Sequence, residues 1–186
     1  MEAKKEYAVQ MHDITIKFGS YTALDHVQLD VKKGSIHAVL GENGAGKTTL
    51  MNILYGLYQA DAGDIYLYGE KVNMKNPNVA IAHGIGMVHQ HFMLVDNFTV
   101  TQNIVLGQET TKACGVMDMK KARQEVLRIV EEYGLEVDPD AYISDISVGM
   151  QQRVEILKAL YRGGDILILD EPTAVLTPQE ITDLID

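Results

Sequence analysis

Gly41-Glu42-Asn43-Gly44-Ala45-Gly46-Lys47-Thr48 is the stretch of this sequence that decides its fold. It fits the pattern G-x-x-x-x-G-K-[ST] and stands between an apolar run, residues 36–40, and a predicted helix, residues 49–58. The apolar run is typical of a strand buried on both faces of a sheet. Glycines let such a loop curl so that its N–H groups and the following helix N-terminus converge on phosphate oxygens. The stretch therefore predicts a strand, a phosphate loop (residues 41–48) and a helix.

The side chains at the end of the phosphate loop add the rest of a nucleotide site. Lys47 is predicted to reach the β- and γ-phosphates of ATP. The Thr48 hydroxyl is predicted to bind Mg²⁺, a cation that takes oxygen ligands. The loop residues predicted to contact the nucleotide are Gly41, Asn43, Gly44, Ala45, Gly46, Lys47, Thr48 and Thr49.

A second motif supplies acidic groups. The apolar run at residues 166–169 predicts a buried strand, and Asp170 and Glu171 follow it directly. We predict that Asp170 is a further Mg²⁺ ligand and that Glu171 polarises the attacking water. Two acids after a strand are by themselves more often a solvated strand end, so their functional weight depends on the phosphate loop upstream.

The remaining strand patterns favour an α/β domain. Residues 14–18 and 27–31 alternate apolar with polar side chains, as half-buried strands do. Residues 64–69 and 86–90 predict two more short strands, with a turn at residues 76–78 between them. Because buried strands alternate with helices along the chain, we expect a largely parallel sheet preceded by β structure.

Two helices are predicted between the strand at residues 86–90 and the strand at residues 166–169. The first begins after Asp118 as N-cap and ends at Gly134, and the second covers residues 154–161 and ends at Gly163. The first helix is expected to bury Ala122, Val126, Ile129, Val130 and Tyr133 and to pair Lys121 with Glu125 and Arg128 with Glu132 outside. We therefore predict a helical subdomain at residues 92–162, inserted into an ATP-binding core at residues 1–91 and 163–186.

Composition narrows the classes of function. The 186 residues carry a net charge of −10, which disfavours a general nucleic-acid surface, so we expect no nucleic-acid partner. No apolar stretch approaches the roughly 18 residues of a membrane span. The single cysteine, Cys114, excludes an internal disulfide framework. The six histidines show no metal-site spacing.

Residues 146–153, ISVGMQQR, stand shortly before Asp170 and resemble the signature motif of ABC ATPases in its usual position. The resemblance implies a RecA-like phosphate-loop core with an N-terminal antiparallel β subdomain. It also implies that Ser147 and the backbone of Gly149 contact the γ-phosphate bound by an opposing cassette. In place of a member of the family's glycine pair and its glutamine stand Val148 and Met150, which predicts a signature that serves ATP less well.

Two further positions follow the family's order. Phe18 stands where the family stacks an aromatic ring on adenine, and Gln90 matches a glutamine that senses metal and water. Taken alone, Phe18 would be read as core and Gln90 as a polar loop residue. The resemblance thus implies Lys47, Gln90 and Glu171 as catalytic residues and Thr48, Gln90 and Asp170 as metal ligands.

Residues 87–104, 146–163 and 165–180 together resemble the first cassette of tandem ABC importers for nucleosides and simple sugars. That similarity implies an ATPase with a second cassette, integral-membrane permeases and, indirectly, an external substrate-binding lipoprotein as partners. The protein would then lie on the cytoplasmic face of the cell membrane. We expect the chain to stop before the family's histidine switch, so this piece alone should bind nucleotide poorly and hydrolyse little.

Two alternatives stay open. A soluble ABC ATPase that acts on ribosomes or DNA would share the motifs and lack a membrane partner. The apolar residues that follow Gln90 could dock a permease helix or simply pack in the core; they are Phe92, Met93, Leu94 and Phe98.

In the family the loop after residue 173 ends in aspartate, whereas Thr177 stands here. This difference predicts altered communication between the two ATP sites.

Overall fold

A computed structural model describes residues 6–89, 92–109, 111 and 116–170. The chain divides into two compact units, Met1–Ile85 and Gly86–Asp186. The predicted boundaries at residues 91/92 and 162/163 stay predictions. Cys114 and Thr177 lie outside the described residues.

The first unit is built on a four-stranded antiparallel sheet. Its strands are β1 (Tyr7–Phe18), β2 (Tyr21–Lys32), β3 (Ala62–Leu67) and β4 (Glu70–Val72), in the order β2-β1-β3-β4. The strands predicted at residues 14–18 and 27–31 are confirmed, and each is longer than its periodic pattern. The antiparallel N-terminal β subdomain implied by the resemblance is confirmed as well.

A β-bulge explains why the pattern of β1 was only partly visible. Val9 and Met11 are buried, and burial then resumes at Ile14 rather than at residue 13. Asp13 has a φ of 54°, and the register with β2 shifts between Met11 and Ile14. One extra residue therefore changes the phase of the alternation and keeps the apolar side chains on one face.

Two local predictions in the first unit are wrong. Residues 36–40 form no strand among the described residues, and Ile36 and Leu40 are 87% and 91% exposed. A buried strand needs a hydrogen-bonding neighbour, and neither sheet of the described residues includes this segment. Residues 76–78 are a helix start, since Asn76 caps α2 (Pro77–Ala82) by accepting a hydrogen bond from the Val79 N–H at 3.3 Å.

The second unit contains a group of helices and a small sheet, whose first strand begins at Ile85, the last residue of the first unit. Strands β5 (Ile85–Val88) and β6 (Ile166–Leu169) pair, and the N–H of Asp170 donates to the carbonyl of Val88 at 3.1 Å. Because this bond joins the carboxyl ends of both strands, the pair is parallel. The strands predicted at residues 86–90 and 166–169 are thus confirmed, although Leu167 and Leu169 are each 37% exposed.

Three helices pack against one another in the second unit, and Ile143–Asp145 form a 3₁₀ turn. They are α3 (Val100–Val105), α4 (Met119–Tyr133) and α5 (Val148–Tyr161). Their shared core consists of Val100, Ile104, Val105, Ala122, Val126, Ile129, Val130, Ile143, Val154 and Leu157. No helix of the described residues is long and apolar enough to cross a membrane.

The prediction for α4 is confirmed at both ends. The Asp118 carboxylate accepts from the Lys121 N–H at 3.2 Å, and Gly134 adopts the left-handed conformation, with φ 65°. The two predicted ion pairs, Lys121–Glu125 and Arg128–Glu132, are both formed. The last turn differs, because Tyr133 lies beyond the core and is 49% exposed.

Candidate nucleotide-binding site

The phosphate loop depends on two glycines with positive φ. Gly44 has a φ of 83° and Gly46 a φ of 91°. A Cβ on Gly44 would meet nothing within 4 Å, whereas a Cβ on Gly46 would lie 2.6 Å from Leu24 Cδ2 and 3.0 Å from the Ala23 carbonyl oxygen. Gly46 is therefore required both for backbone conformation and for the close approach of the loop to β2.

Helix α1 (Lys47–Leu54) starts directly at the loop, and its N-cap is Gly46. Within the described residues no side chain caps this end, and its first turn contains no acidic residue. The N–H groups of a first helical turn have no partner inside the helix, and they carry the positive end of the helix dipole. The start of α1 thus offers an electropositive end to an anion, as the sequence predicted.

Lys47 lies over the beginning of the loop. Its Nζ donates hydrogen bonds to the carbonyl oxygens of Gly41, at 2.7 Å, and Glu42, at 3.0 Å. These two bonds hold the loop in its curled form. An ammonium group has three protons, so the geometry leaves one for a phosphate oxygen.

Phe18 ends strand β1 on the surface of the first unit. It is 46% exposed, which rules out the interpretation of this side chain as core. Its ring packs edge-to-face against Tyr58, with centroids 5.4 Å apart and an interplanar angle of 72°. Tyr58 was not among the predicted site residues. Its only signal in the sequence is an aromatic side chain at the end of the predicted helix at residues 49–58.

The signature residues begin a helix in the second unit. Ser147 is the N-cap of α5, and its Oγ accepts from the Met150 N–H at 3.3 Å. Gly149 is buried in the first turn, whereas Val148 and Met150 are 44% and 42% exposed. The residues that depart from the family's pattern therefore present their side chains to the surface, and the cap itself is intact.

Asp170 is the second-unit residue predicted to bind metal. It is 9% exposed and is placed by the backbone bond to Val88 at the carboxyl end of the sheet. Gln90 and Glu171, predicted as catalytic, lie outside the described residues. Among the residues that the structure describes, no group of three or more His, Cys, Asp or Glu side chains converges as a metal site.

The described geometry thus forms two groups, one in each unit. The first unit brings together the phosphate loop, Lys47 and Thr48, with the Phe18–Tyr58 pair on the same unit. The second unit carries Asp170, Ser147 and Gly149. The first group can bind a polyphosphate through backbone N–H groups and an ammonium, and the second offers a capped helix start and a carboxylate.

Comparison with known proteins gives a family match over most of the chain. A family model described as ABC transporter matches residues 24–174. The chain is 61% identical over 179 residues to the nucleoside import ATP-binding protein NupA of Lactococcus lactis, and it is also 61% identical over 179 residues to the guanosine import ATP-binding protein NupO of Bacillus subtilis. Both alignments cover 96% of this chain and 35% of the relative, so the chain spans about a third of the length of these proteins.

A sugar importer and a solved structure extend the comparison. The ribose import ATP-binding protein RbsA of Caldanaerobacter subterraneus is 46% identical over 175 residues, covering 94% of this chain and 35% of its own length. The crystal structure of an ATP-binding cassette of an ABC transporter in its ADP conformation matches with a TM-score of 0.84 and 27% identity. That match covers 96% of this chain and 74% of the solved chain.

Proposed function

The chain belongs to the ABC transporter family, and from this membership we propose that it binds and hydrolyses ATP to energise the import of nucleosides. The observation that carries the ATP-binding part is the phosphate loop, with Gly46 packed against β2 and the Lys47 ammonium lying over the loop. The two relatives at 61% identity are named for nucleoside and guanosine import, whereas the ribose importer is at 46%. This order favours nucleosides over simple sugars as the cargo.

The proposed chemistry is mostly positioning and electrostatics. Lys47 binds β- and γ-phosphate oxygens, while Glu171 orients and polarises the attacking water. The oxygen donors of Thr48, Gln90 and Asp170 match the preference of Mg²⁺ for hard ligands, and these residues would hold it. Bound Mg²⁺ supplies charge neutralisation on the phosphate oxygens.

Adenine is proposed to bind at the aromatic pair of the first unit. Phe18 is half-exposed at the end of β1, and its contact with Tyr58 fixes the orientation of its ring. An exposed aromatic face can stack on a planar base. The phosphate loop and this ring then account for both ends of the nucleotide.

The proposed partners are a second cassette and membrane permeases. Ser147 caps α5 at an exposed helix start, which supports a contact between this signature and ATP held by another cassette. Through the permeases the chain would lie on the cytoplasmic face of the membrane, and an external substrate-binding lipoprotein would be an indirect partner.

The segment after Gln90 is proposed to dock the permease with its exposed side chains. Met93 is 64% exposed, Val95 38% and Phe98 36%, whereas Leu94 packs against the helical core. The exposed side chains of Met93, Val95 and Phe98 thus fit the docking alternative, and Leu94 fits the packing alternative. We name residues 92–98 the docking segment.

The proposed function is tested by uptake of labelled nucleosides and labelled pentoses in cells that carry the full-length protein. Lys47→Ala is expected to abolish nucleoside uptake and spare pentose uptake. Lys120→Ala, an exposed lysine on α4, serves as the matched control and should transport normally. Loss of pentose uptake alone would change the cargo, and no change in either uptake would favour a soluble ABC ATPase.

A further inference from the structure

The backbone of Met93 is held by two charged side chains of α5. The Met93 N–H donates to Glu155 Oε1 at 2.6 Å, and Lys158 Nζ donates to the Met93 carbonyl at 2.9 Å. Glu155 and Lys158 are 62 and 65 residues away in sequence and three residues apart on one face of the helix. We name this arrangement the backbone clamp.

Both charged groups of the clamp are buried. Glu155 is 5% and Lys158 9% exposed, although Met93 itself is 64% exposed. Burial lowers the pKa of Lys158, Glu155 opposes this effect and Arg162 adds to it. Burying charged groups is costly, and apolar residues of similar volume often give equal or greater stability. Stability alone is therefore a weak explanation for this pair.

A second contact to the backbone of the docking segment, at Val95, is made by an uncharged side chain. Asn103 on α3 is fully buried; its Oδ1 accepts from the Val95 N–H at 2.7 Å and its Nδ2 donates to the Val95 carbonyl at 3.1 Å. Leu94, between the two, packs on the helical core. The backbone is thus fixed by α5 and α3 at alternate residues, and Met93 and Val95 point their apolar side chains outward.

Helix α5 connects this anchoring to the signature. Ser147 caps its first turn, and Glu155 follows eight residues later, about 12 Å along the helix axis. The buried side chains of Val154 and Leu157 pack the same stretch of helix into the core beside the clamp. Gln90 precedes Met93 by three residues in the sequence.

We propose that Glu155 and Lys158 are positioning residues that couple the signature helix to the docking segment, through hydrogen bonds to the backbone of Met93. A displacement of α5 produced at Ser147 by the nucleotide of the opposing cassette is carried by the clamp to the segment that contacts the permease. This inference rests on the proposed function. It assigns the coupling to the backbone of residue 93, so the identity of that side chain affects docking and not the clamp.

Two double variants of the full-length transporter test this role. Glu155→Leu/Lys158→Met removes the clamp and replaces the buried charges with apolar groups of similar size, which favours a folded protein. Glu155→Gln/Lys158→Gln removes the charges but keeps an acceptor for the Met93 N–H and a donor for its carbonyl. Arg128→Met/Glu132→Gln breaks an exposed ion pair on α4 and is the matched control.

The measurement is the number of nucleosides transported per ATP hydrolysed in proteoliposomes, together with ATP affinity. We expect the apolar double variant to lower this ratio at least about fivefold, with ATP affinity within about twofold of wild type. The glutamine double variant should keep most of the wild-type ratio of nucleosides transported per ATP, and the control should match wild type.

An unchanged ratio in the apolar double variant, or an equal loss in both double variants, would overturn the proposed coupling. Thermal unfolding of each variant is measured alongside. If the apolar variant unfolds, the glutamine variant alone tests the coupling. Its number of nucleosides transported per ATP hydrolysed must then stay near the wild-type value. A wild-type protein that binds no ATP or moves no nucleoside would instead refute the proposed function.

Discussion

Replacing Gly46 with alanine separates backbone strain from steric contact when it is compared with Gly44→Ala. Both positions have positive φ, so each alanine costs about 1–3 kcal/mol of strain. Only at position 46 does the new Cβ lie 2.6 Å from Leu24 Cδ2, a buried side chain of β2, and 3.0 Å from the Ala23 carbonyl. Relieving that contact forces Leu24 off its rotamer and shifts the loop, at a further cost of about 1–3 kcal/mol.

Urea unfolding and ATP titration measure the two effects. Gly46→Ala should lose about 1–3 kcal/mol more stability than Gly44→Ala and should bind ATP more weakly, because the loop moves away from β2. Adding Leu24→Ala should cost less in the Gly46→Ala protein than in wild type, since it makes room for the new methyl group. Equal stability of the two glycine variants, or strict additivity with Leu24→Ala, would refute this account of the loop.

Substitutions at three other positions have measurable consequences. Phe18→Ala should weaken ATP binding by about 1–3 kcal/mol, whereas Phe18→Tyr should bind nearly as wild type, as measured with a fluorescent ATP analogue. Ser147→Asp should keep the helix cap and the thermal stability but reduce ATPase activity in the full-length protein, because its carboxylate would face a phosphate; activity equal to wild type would contradict the proposed contact. The hydrogen bond from Arg123 lowers the pKa of Asp140. The Arg123–Asp140 pair therefore stabilises the fold fully above pH 3.8, the ordinary pKa of aspartate, and this stabilisation is lost as the pH falls through the lowered pKa. Asp140→Asn should therefore lower stability at pH 7 and flatten the acid limb of the unfolding curve.

Local chemistry made some elements predictable from sequence. The ends of α4 depend on Asp118 and Gly134, whose capping roles require only their nearest neighbours. The same kind of signal was present for α3, where Thr99 and Gln102 form a capping box. At Asn76 an asparagine followed by proline was ambiguous, since this pair begins both turns and helices, and only the structure decides for α2.

Long-range pairing was not predictable. The apolar run at residues 36–40 indicates a tendency to be buried but does not contain its hydrogen-bonding neighbour. Glu155 and Lys158 read in sequence as charged positions of an amphipathic helix, yet they are buried against a backbone more than 60 residues away. A side chain that recognises a peptide group leaves no trace in the sequence of its partner, because every residue except proline offers the same N–H and carbonyl.

The two candidate phosphate contacts depend mainly on backbone and cap groups, and this bears on the unusual signature. At the phosphate loop the anion would meet N–H groups shaped by glycines, and at α5 it would meet a helix start capped by Ser147. Val148 and Met150 are exposed and take no side-chain part in that cap. The Ser147 cap is therefore formed with Val148 and Met150 in place. Any weakening of this signature should act through its fit against the proposed opposing cassette, where two bulky apolar side chains replace a glycine and an amide.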